Sequence, residues 1–371
     1  MKILIVSKYF KPFKGGIETV VYENARYLVQ KGHEVTVIAS EHIKGLKKEE
    51  MIEGIKVVRS KTLFNLSAAP ISPGMFLKIL KREFDIGQLH APNPFNNTLA
   101  VIAFLLKRKP WVVTYHSDVI GRKGVFGLLF KIYKDLIQIP VVLGKARQVM
   151  PTSPQYIKIS DTLPLIDKNK ITIIPNGVDL SKFKLKKKKR KEKEVFYVGR
   201  LIYYKGIDVL IKAMKKVIHE IPDAHLSIGG SGELRKELED LVKKEGLERS
   251  ISFLGRISNE EMEKRFNEST VFVLPSVHRS EAFGIVILEA MAAGCPVITT
   301  DISGTVYAAG NAGIVVKNKS VEELADAIVK VLKNKKLQEE MSRKGLQHVK
   351  KFQWKNIAEM TEKIYKKVLE K

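Results

Sequence analysis

With 371 residues, the chain is two to three times the usual single-domain length of roughly 100–200, so two domains are expected. A hydrophobic fraction of 44% excludes a wholly disordered chain, and the single cysteine, Cys295, excludes an intrachain disulfide and fits a reducing compartment. The net charge of +25 calls either for an anionic partner (nucleic acid, anionic lipid or a phosphorylated substrate) or for a lysine-rich solvating surface, two readings of equal weight. In chain order, residues 2–6 form an apolar strand, too short a run for a signal peptide. The loop Lys14-Gly15-Gly16-Ile17 leads into an amphipathic helix over residues 18–30, closed by Gly32, and residues 34–39 are the next strand. Residues 86–90, 111–115 and 171–174 read as further strands, with helices over 94–106 and 126–142. Strand–helix alternation at this spacing argues for a parallel sheet covered on both faces.

The run Lys186-Lys187-Lys188-Lys189-Arg190-Lys191 breaks the pattern. Like charges repel, so it is read as a solvated linker. Residues 1–183 carry a net charge of +14, residues 184–194 carry +6 and residues 195–371 carry +5, so the excess sits in the first half and the linker. Alternation resumes with strands at 195–198, 224–228, 271–274, 296–299 and 314–316. Capping boxes at Ser258-Asn259-Glu260-Glu261 and Ser320-Val321-Glu322-Glu323 open two of the helices between them. The expected architecture is α/β, with a first Rossmann-like domain at 1–183, a linker at 184–194 and a second such domain at 195–353. A last helix at 354–371 is a candidate for crossing back to the first domain. Two such domains are expected to face across a cleft, with ligands outside the carboxyl ends of the strands.

The sharpest chemistry lies in residues 280–294. A helix starting near Gly284 carries Glu289 as its only charge, among apolar and small neighbours. A buried carboxylate needs donors, either a basic residue or a ligand's hydroxyls such as those of a ribose. The free amides of Phe283, Gly284 and Ile285 at the helix start suit a phosphate. Glu281, just outside, is placed to meet whatever the phosphate carries. Arg200 in Val198-Gly199-Arg200 and Lys205 in Lys205-Gly206 can neutralise a diphosphate. The loop Gly229-Gly230-Ser231-Gly232 lacks the third glycine and the downstream acid of a dinucleotide fingerprint, which argues against NAD. No Asp-x-Asp occurs and the eight histidines lack ligand spacing, so no metal site and no cofactor are expected.

Taken in order, these segments resemble the group 1 glycosyltransferases of family 4, which have the GT-B fold. The resemblance rests on Gly15-Gly16, Thr114-Tyr115-His116-Ser117-Asp118 and Ile174-Pro175-Asn176-Gly177-Val178-Asp179 in the first half. In the second half it rests on Val198-Gly199-Arg200, Lys205-Gly206, the glycine loop at 229–232, and Glu281 and Glu289 with seven residues between them. Ala282 stands where Pro is frequent, and Gly304-Thr305-Val306-Tyr307 replaces a frequent Gly-Gly-x-Pro-Glu turn. The resemblance implies a nucleotide-sugar donor (GDP- or UDP-linked) and transfer of a hexose with retention, with a weak lean to mannose or glucose. It implies that Glu289 binds the ribose and that Arg200 and Lys205 stabilise the leaving diphosphate. Gly16 and the amides of Phe283, Gly284 and Ile285 would help hold phosphate and sugar, with Gly15 and Gly230 in the same loops. Glu281 would bind sugar hydroxyls, and His116 would lie near the anomeric centre and the C6 hydroxyl.

His116 could instead be a core histidine, but it follows a strand at its carboxyl end, which favours function. Asp118 either faces the acceptor or orients His116, and Asn176 serves turn geometry. A nucleic-acid-binding protein is the reading from another class, but no helix-turn-helix, zinc spacing or interleaved aromatics support it, and no nucleic acid is expected. A related epimerase or phosphorylase shares the same motifs. Around residues 122–147, Arg122, Lys123, Lys131, Lys134, Lys145 and Arg147 flank apolar groups. Such a face suits peripheral contact with an anionic membrane or packs the core, readings of equal weight. The expectation is a cytoplasmic enzyme, peripheral at the inner membrane face, with a glycan or lipid-linked acceptor.

Overall fold

The computed structural model describes residues 1–13, 15–66, 69–119, 125–186 and 192–370. The expectations that involve Lys14, Arg122, Lys123 and residues 187–191 fall outside them. The chain divides into two compact units, Met1–Asn176 with Trp354–Lys371, and Gly177–Gln353.

The first unit's main sheet is built from β1 (Lys2–Ser7), β2 (Glu34–Ser40), β3 (Glu49–Ile52) and β4 (Ile55–Ser60), while β5 (Phe64–Leu66) and β6 (Ala69–Ile71) form a separate hairpin. The main sheet is completed by β7 (Ile86–Ala91), β8 (Trp111–Tyr115) and β9 (Gln148–Pro151). The order across it is β3-β4-β2-β1-β7-β8-β9, parallel except for the β3–β4 pair. β1 and β8 are buried along nearly their whole length, as interior strands of a parallel sheet are, and β1 sits between β2 and β7, where the strand order reverses.

The second unit has one parallel six-stranded sheet in the order β12-β11-β10-β13-β14-β15. Its strands are β10 (Glu194–Val198), β11 (His225–Gly229), β12 (Ile251–Gly255), β13 (Val271–Leu274), β14 (Val297–Thr300) and β15 (Ile314–Val316). Both expected caps form: Ser258 Oγ accepts from the Glu261 amide at 3.1 Å, and Ser320 Oγ from the Glu323 amide at 3.2 Å.

Several expectations need correction. Residues 171–174 do not form a full strand, although they run beside β9: Ile171 bridges Val149, the Thr172 amide donates to the Val149 carbonyl at 3.0 Å and the Ile174 amide to the Pro151 carbonyl at 3.0 Å. The helix expected over 126–142 is α-helical through Tyr133 and then π-wound over Lys134–Leu143, a stretch containing Pro140, which has no amide hydrogen to donate. The unit boundary falls at Asn176 and Gly177, ahead of the basic run. The reason is packing: Val178 donates to the Phe352 carbonyl at 2.8 Å, and Val178 and Phe183 belong to the second unit's core. Farther on, the Lys186 amide donates to Asn267 Oδ1 at 2.6 Å.

The last helix, Trp354–Leu369, belongs to the first unit. Glu359 pairs with Lys31 at 3.0 Å and Glu362 with His33 at 3.1 Å. Tyr365 Oη donates to Gln88 Oε1, and Gln88 Nε2 donates to Thr114 Oγ1 at 2.8 Å, so the helix is bonded to β7 and through it to β8.

Candidate active site

In the second unit, the expected site residues sit where β10, β11 and β13 end. Arg200 follows β10; it is exposed and has no ion-pair partner among the described residues. Lys205 closes the short turn Tyr203–Lys205 and forms an ion pair with Glu281 Oε2. Ser276 Oγ donates to the same carboxylate oxygen at 3.1 Å. Burial is the largest single influence on Lys205 and lowers its pKa, but the charge and hydrogen bond of Glu281 together with Tyr204 outweigh it and the net shift is upward, so the ammonium persists. Sequence reading treated Lys205 and Glu281 as separate contacts; the structure joins them into one pair. Glu281 Oε1 has no hydrogen-bond partner among the described residues.

The glycine loop after β11 packs on the loop after β10. The Leu201 amide donates to Ser231 O at 3.0 Å. Gly230 has φ +127°, and a Cβ there would come within 1.8 Å of the Gly199 carbonyl oxygen, so neither the backbone conformation nor the space admits a side chain. Gly284, at φ +77°, is the N-cap of the helix Ile285–Ala292. The amides of Phe283, Gly284 and Ile285 have no acceptor among the described residues, as expected of a helix start. Glu289 lies inside this helix. It is half-buried and makes neither hydrogen bond nor ion pair among the described residues. Burial pushes its carboxyl up from 4.5 to about 7; Lys182 opposes this from a distance, but its own ammonium pairs with Asp179 at 3.2 Å. Of the two options open for Glu289, the ion pair is thus not formed.

In the first unit, His116 follows β8 and is buried, its amide donating to the Ala91 carbonyl at 2.9 Å. Its Nε2 lies 2.9 Å from Nδ1 of His90 on β7, with the rings stacked. Burial lowers the His116 pKa to about 4 and holds His90 well below its usual value, so both imidazoles are neutral at pH 7. Asp118 neither orients His116 nor stands free. It accepts from Tyr115 Oη at 2.6 Å, from Ser160 Oγ at 2.7 Å and from the Asp161 amide at 3.1 Å, which makes it a loop anchor. Gly15 is the N-cap of the helix Gly16–Gln30, and its carbonyl accepts from the Thr19 amide at 2.9 Å. A Cβ on Gly16 would meet nothing within 4 Å.

Sequence reading missed His90 and Ser276. His90 carried a signal: Gln88 and His90 are polar at alternate positions of an otherwise apolar strand, hence on one face. Ser276 carried none, since its partner is fixed by the fold. Among the described residues, no three or more His, Cys, Asp or Glu side chains group as a metal site.

Residues 179–348 match the model of the glycosyl transferases group 1, and residues 14–182 match that of glycosyltransferase family 4. The chain is 30% identical to the O-antigen chain mannosyltransferase C of Escherichia coli, over 83% of this chain and 81% of that one. It is 27% identical to the phosphatidyl-myo-inositol mannosyltransferase of Mycolicibacterium smegmatis, over 99% and 94%. In fold it is similar to the sucrose-phosphate synthase of Thermosynechococcus elongatus, with a TM-score of 0.79 at 22% identity over 99% of this chain and 98% of that one. Anabaena HepE, solved with UDP-glucose, gives a TM-score of 0.78 at 18% identity over 99% and 100%. With its two Rossmann-like units and both halves matched, the chain belongs to the group 1 glycosyltransferases of family 4, enzymes of the GT-B fold.

Proposed function

We propose that this glycosyltransferase moves a hexose, mannose or glucose, from a GDP- or UDP-sugar to a glycan or lipid-linked acceptor, with retention at the anomeric carbon and without a divalent metal. The observation that carries the reading is Glu289: a carboxylate with no partner among the described residues, in a helix whose first amides likewise have no acceptor among them. A ribose would supply the missing donors and a diphosphate the missing acceptors. Arg200 and Lys205 then offset the charge that grows on the leaving diphosphate, as a metal does in other enzymes. Lys205 is shared with Glu281, whose Oε1 remains available for a sugar hydroxyl. His116 contributes a neutral, hydrogen-bonding imidazole to the transfer step. The lean toward mannose draws on the relatives named above, and the nucleotide-sugar donor on HepE, whose structure holds UDP-glucose.

The cytoplasmic, membrane-peripheral part of the reading rests on an apolar face. Leu128, Leu129, Ile132 and Leu136 are 60%, 56%, 46% and 67% exposed, beside Lys131 and Lys134. These four side chains do not pack the core, whereas Val142 and Leu143 of the same stretch do, so the core alternative holds for its second part. No described helix is long and apolar enough to cross a membrane. The deciding experiment incubates the enzyme with GDP- and UDP-hexoses, with and without EDTA, and reads consumption and anomeric configuration by NMR. Acceptor-dependent, chelator-resistant transfer with retention is the expected result. Epimerisation or hydrolysis without acceptor, or activity restored only by a divalent ion, would overturn the corresponding part.

A further inference from the structure

His90 belongs to none of the segments that mark the family resemblance, yet among the described residues it is the one side chain hydrogen-bonded to His116. It is 1% exposed on β7, and His116 is 5% exposed directly after β8. The two strands are paired in parallel, with His90 opposite Thr114 and Ala91 opposite Tyr115, so His116, two positions past Thr114, meets His90 diagonally across the strands. Their 2.9 Å contact joins His90 Nδ1 to His116 Nε2 and can hold only one proton. Among the described residues, the second nitrogen of His90, Nε2, is sealed from solvent and has no partner.

Only two neutral arrangements are available. In one, His116 Nε2–H donates to His90 Nδ1, and the remaining proton of His90 is stranded on the buried Nε2. In the other, His90 Nδ1–H donates to His116 Nε2, and His90 Nε2 keeps only a lone pair. A buried N–H without an acceptor is costlier and rarer than a buried lone pair without a donor, so the second arrangement wins. We propose that His90 is a positioning residue that fixes the tautomer of His116: it donates from Nδ1 to His116 Nε2 and so leaves His116 with its proton on Nδ1, a hydrogen-bond donor toward the substrate. This rests on the reading that His116 takes part in transfer. Its chemical consequence is that His116 works by donating to an oxygen of the sugar and not by accepting a proton. Protonation at its remaining lone pair would first break the bond to His90 and place a cation in a buried site. The histidine that reaches substrate is thus oriented by a second ring behind it, as outer-shell partners orient metal-binding histidines.

The test uses the full chain labelled with 15N at histidine. Long-range proton–nitrogen NMR is expected to show both rings neutral at pH 7 with the proton on Nδ1. A proton on Nε2 of His116 overturns the proposal. Kinetics supply the second arm. His90→Leu removes the donor and is expected to lower kcat by about tenfold or more, leaving nucleoside diphosphate affinity within about twofold. His90→Asn keeps an N–H near the position of Nδ1 and is expected to restore most of kcat. If His90→Leu folds and the His116 tautomer pattern is unchanged, the proposal fails. If it does not fold, the wild-type spectrum and His90→Asn still decide. An Nδ1–H pattern in wild type together with a fully active His116→Ala variant would overturn the assignment of His116 to the transfer step and leave the tautomer lock standing.

Discussion

Glu289 is held in a helix with no side-chain donor, and burial raises its carboxyl from 4.5 to about 7. Between those values the folded chain keeps a proton that the unfolded chain has released. The contribution of this group to stability is therefore fully present below about 4.5 and is lost as pH rises through about 7. Ribose hydroxyls donating to the carboxylate favour its ionised form. Nucleoside diphosphate affinity should accordingly weaken below pH 7 by up to about tenfold per unit, and Glu289→Gln should abolish that part of the dependence. Calorimetry on both proteins across the range checks this, since titration of the diphosphate itself is common to the two. A parallel pH dependence in wild type and variant would sink the assignment. Lys205 and Glu281 form the second test at this scale. Lys205→Ala leaves a buried carboxylate with Ser276 alone, and breaking such a pair costs about 3–5 kcal/mol of stability. The double variant Lys205→Ala/Glu281→Gln should recover much of that loss in denaturant titrations while staying inactive. Arg200→Ala, at an exposed site, should keep its stability and lose about 2.7–4 kcal/mol of transition-state stabilisation. A stable Arg200→Ala variant with normal turnover would remove Arg200 from the leaving-group role.

The element that runs from Val125 into the π-wound stretch Lys134–Leu143 divides its side chains unequally. Gln138, Val142 and Leu143 are buried, while Leu128, Leu129, Ile132 and Leu136 face solvent. Removing a leucine side chain from water yields about 1.5–3 kcal/mol, and each lysine near an anionic surface adds about 1 kcal/mol. A few such residues are enough for reversible adsorption. Leu128→Ser combined with Leu136→Ser should abolish pelleting with anionic vesicles at low salt and leave the melting temperature unchanged, because neither side chain supports the core. Equal pelleting of the variant and the parent would rule this face out as the contact.

At the scale of the whole molecule, the chain order and the folding units do not coincide. The helix Trp354–Leu369 comes last, yet its buried residues, Trp354, Ile357, Ile364 and Tyr365 among them, complete the first unit. Truncation after Gln353 should therefore damage the first unit and spare the second. Expected outcomes are loss of the first unit's cooperative melting, loss of transfer activity, and nucleoside diphosphate affinity close to that of the full chain. Loss of nucleotide binding on truncation would show that the helix serves the second unit instead.

Local pattern was enough for the elements whose burial is complete. β8 and β13 match their expected bounds residue for residue, because a strand covered on both faces is a continuous apolar run whatever surrounds it. The same holds for Glu289, whose isolation among apolar neighbours is visible in the order of residues alone. Edge elements were less uniformly legible: β15 has its expected bounds, whereas β3, four residues carrying Glu49 and Glu50, becomes a strand only because β4 offers an edge to pair with. β4 itself, buried between β2 and β3, was missed although half of it is apolar. Residues 171–174 show the converse, a largely apolar run that gains one bridge and two backbone hydrogen bonds to β9 but no full ladder. The site divides along the same line. Sequence determined which residue types carry the chemistry: a lone carboxylate, two cations, free helix-start amides and a histidine after a strand. Only the tertiary structure decided that Lys205 and Glu281, 76 positions apart, share a proton-bearing contact, and that His90 and His116, 26 apart, share another. Pairings over such distances are set by strand order and register, and these depend on the burial of the whole sheet rather than on any local run of residues.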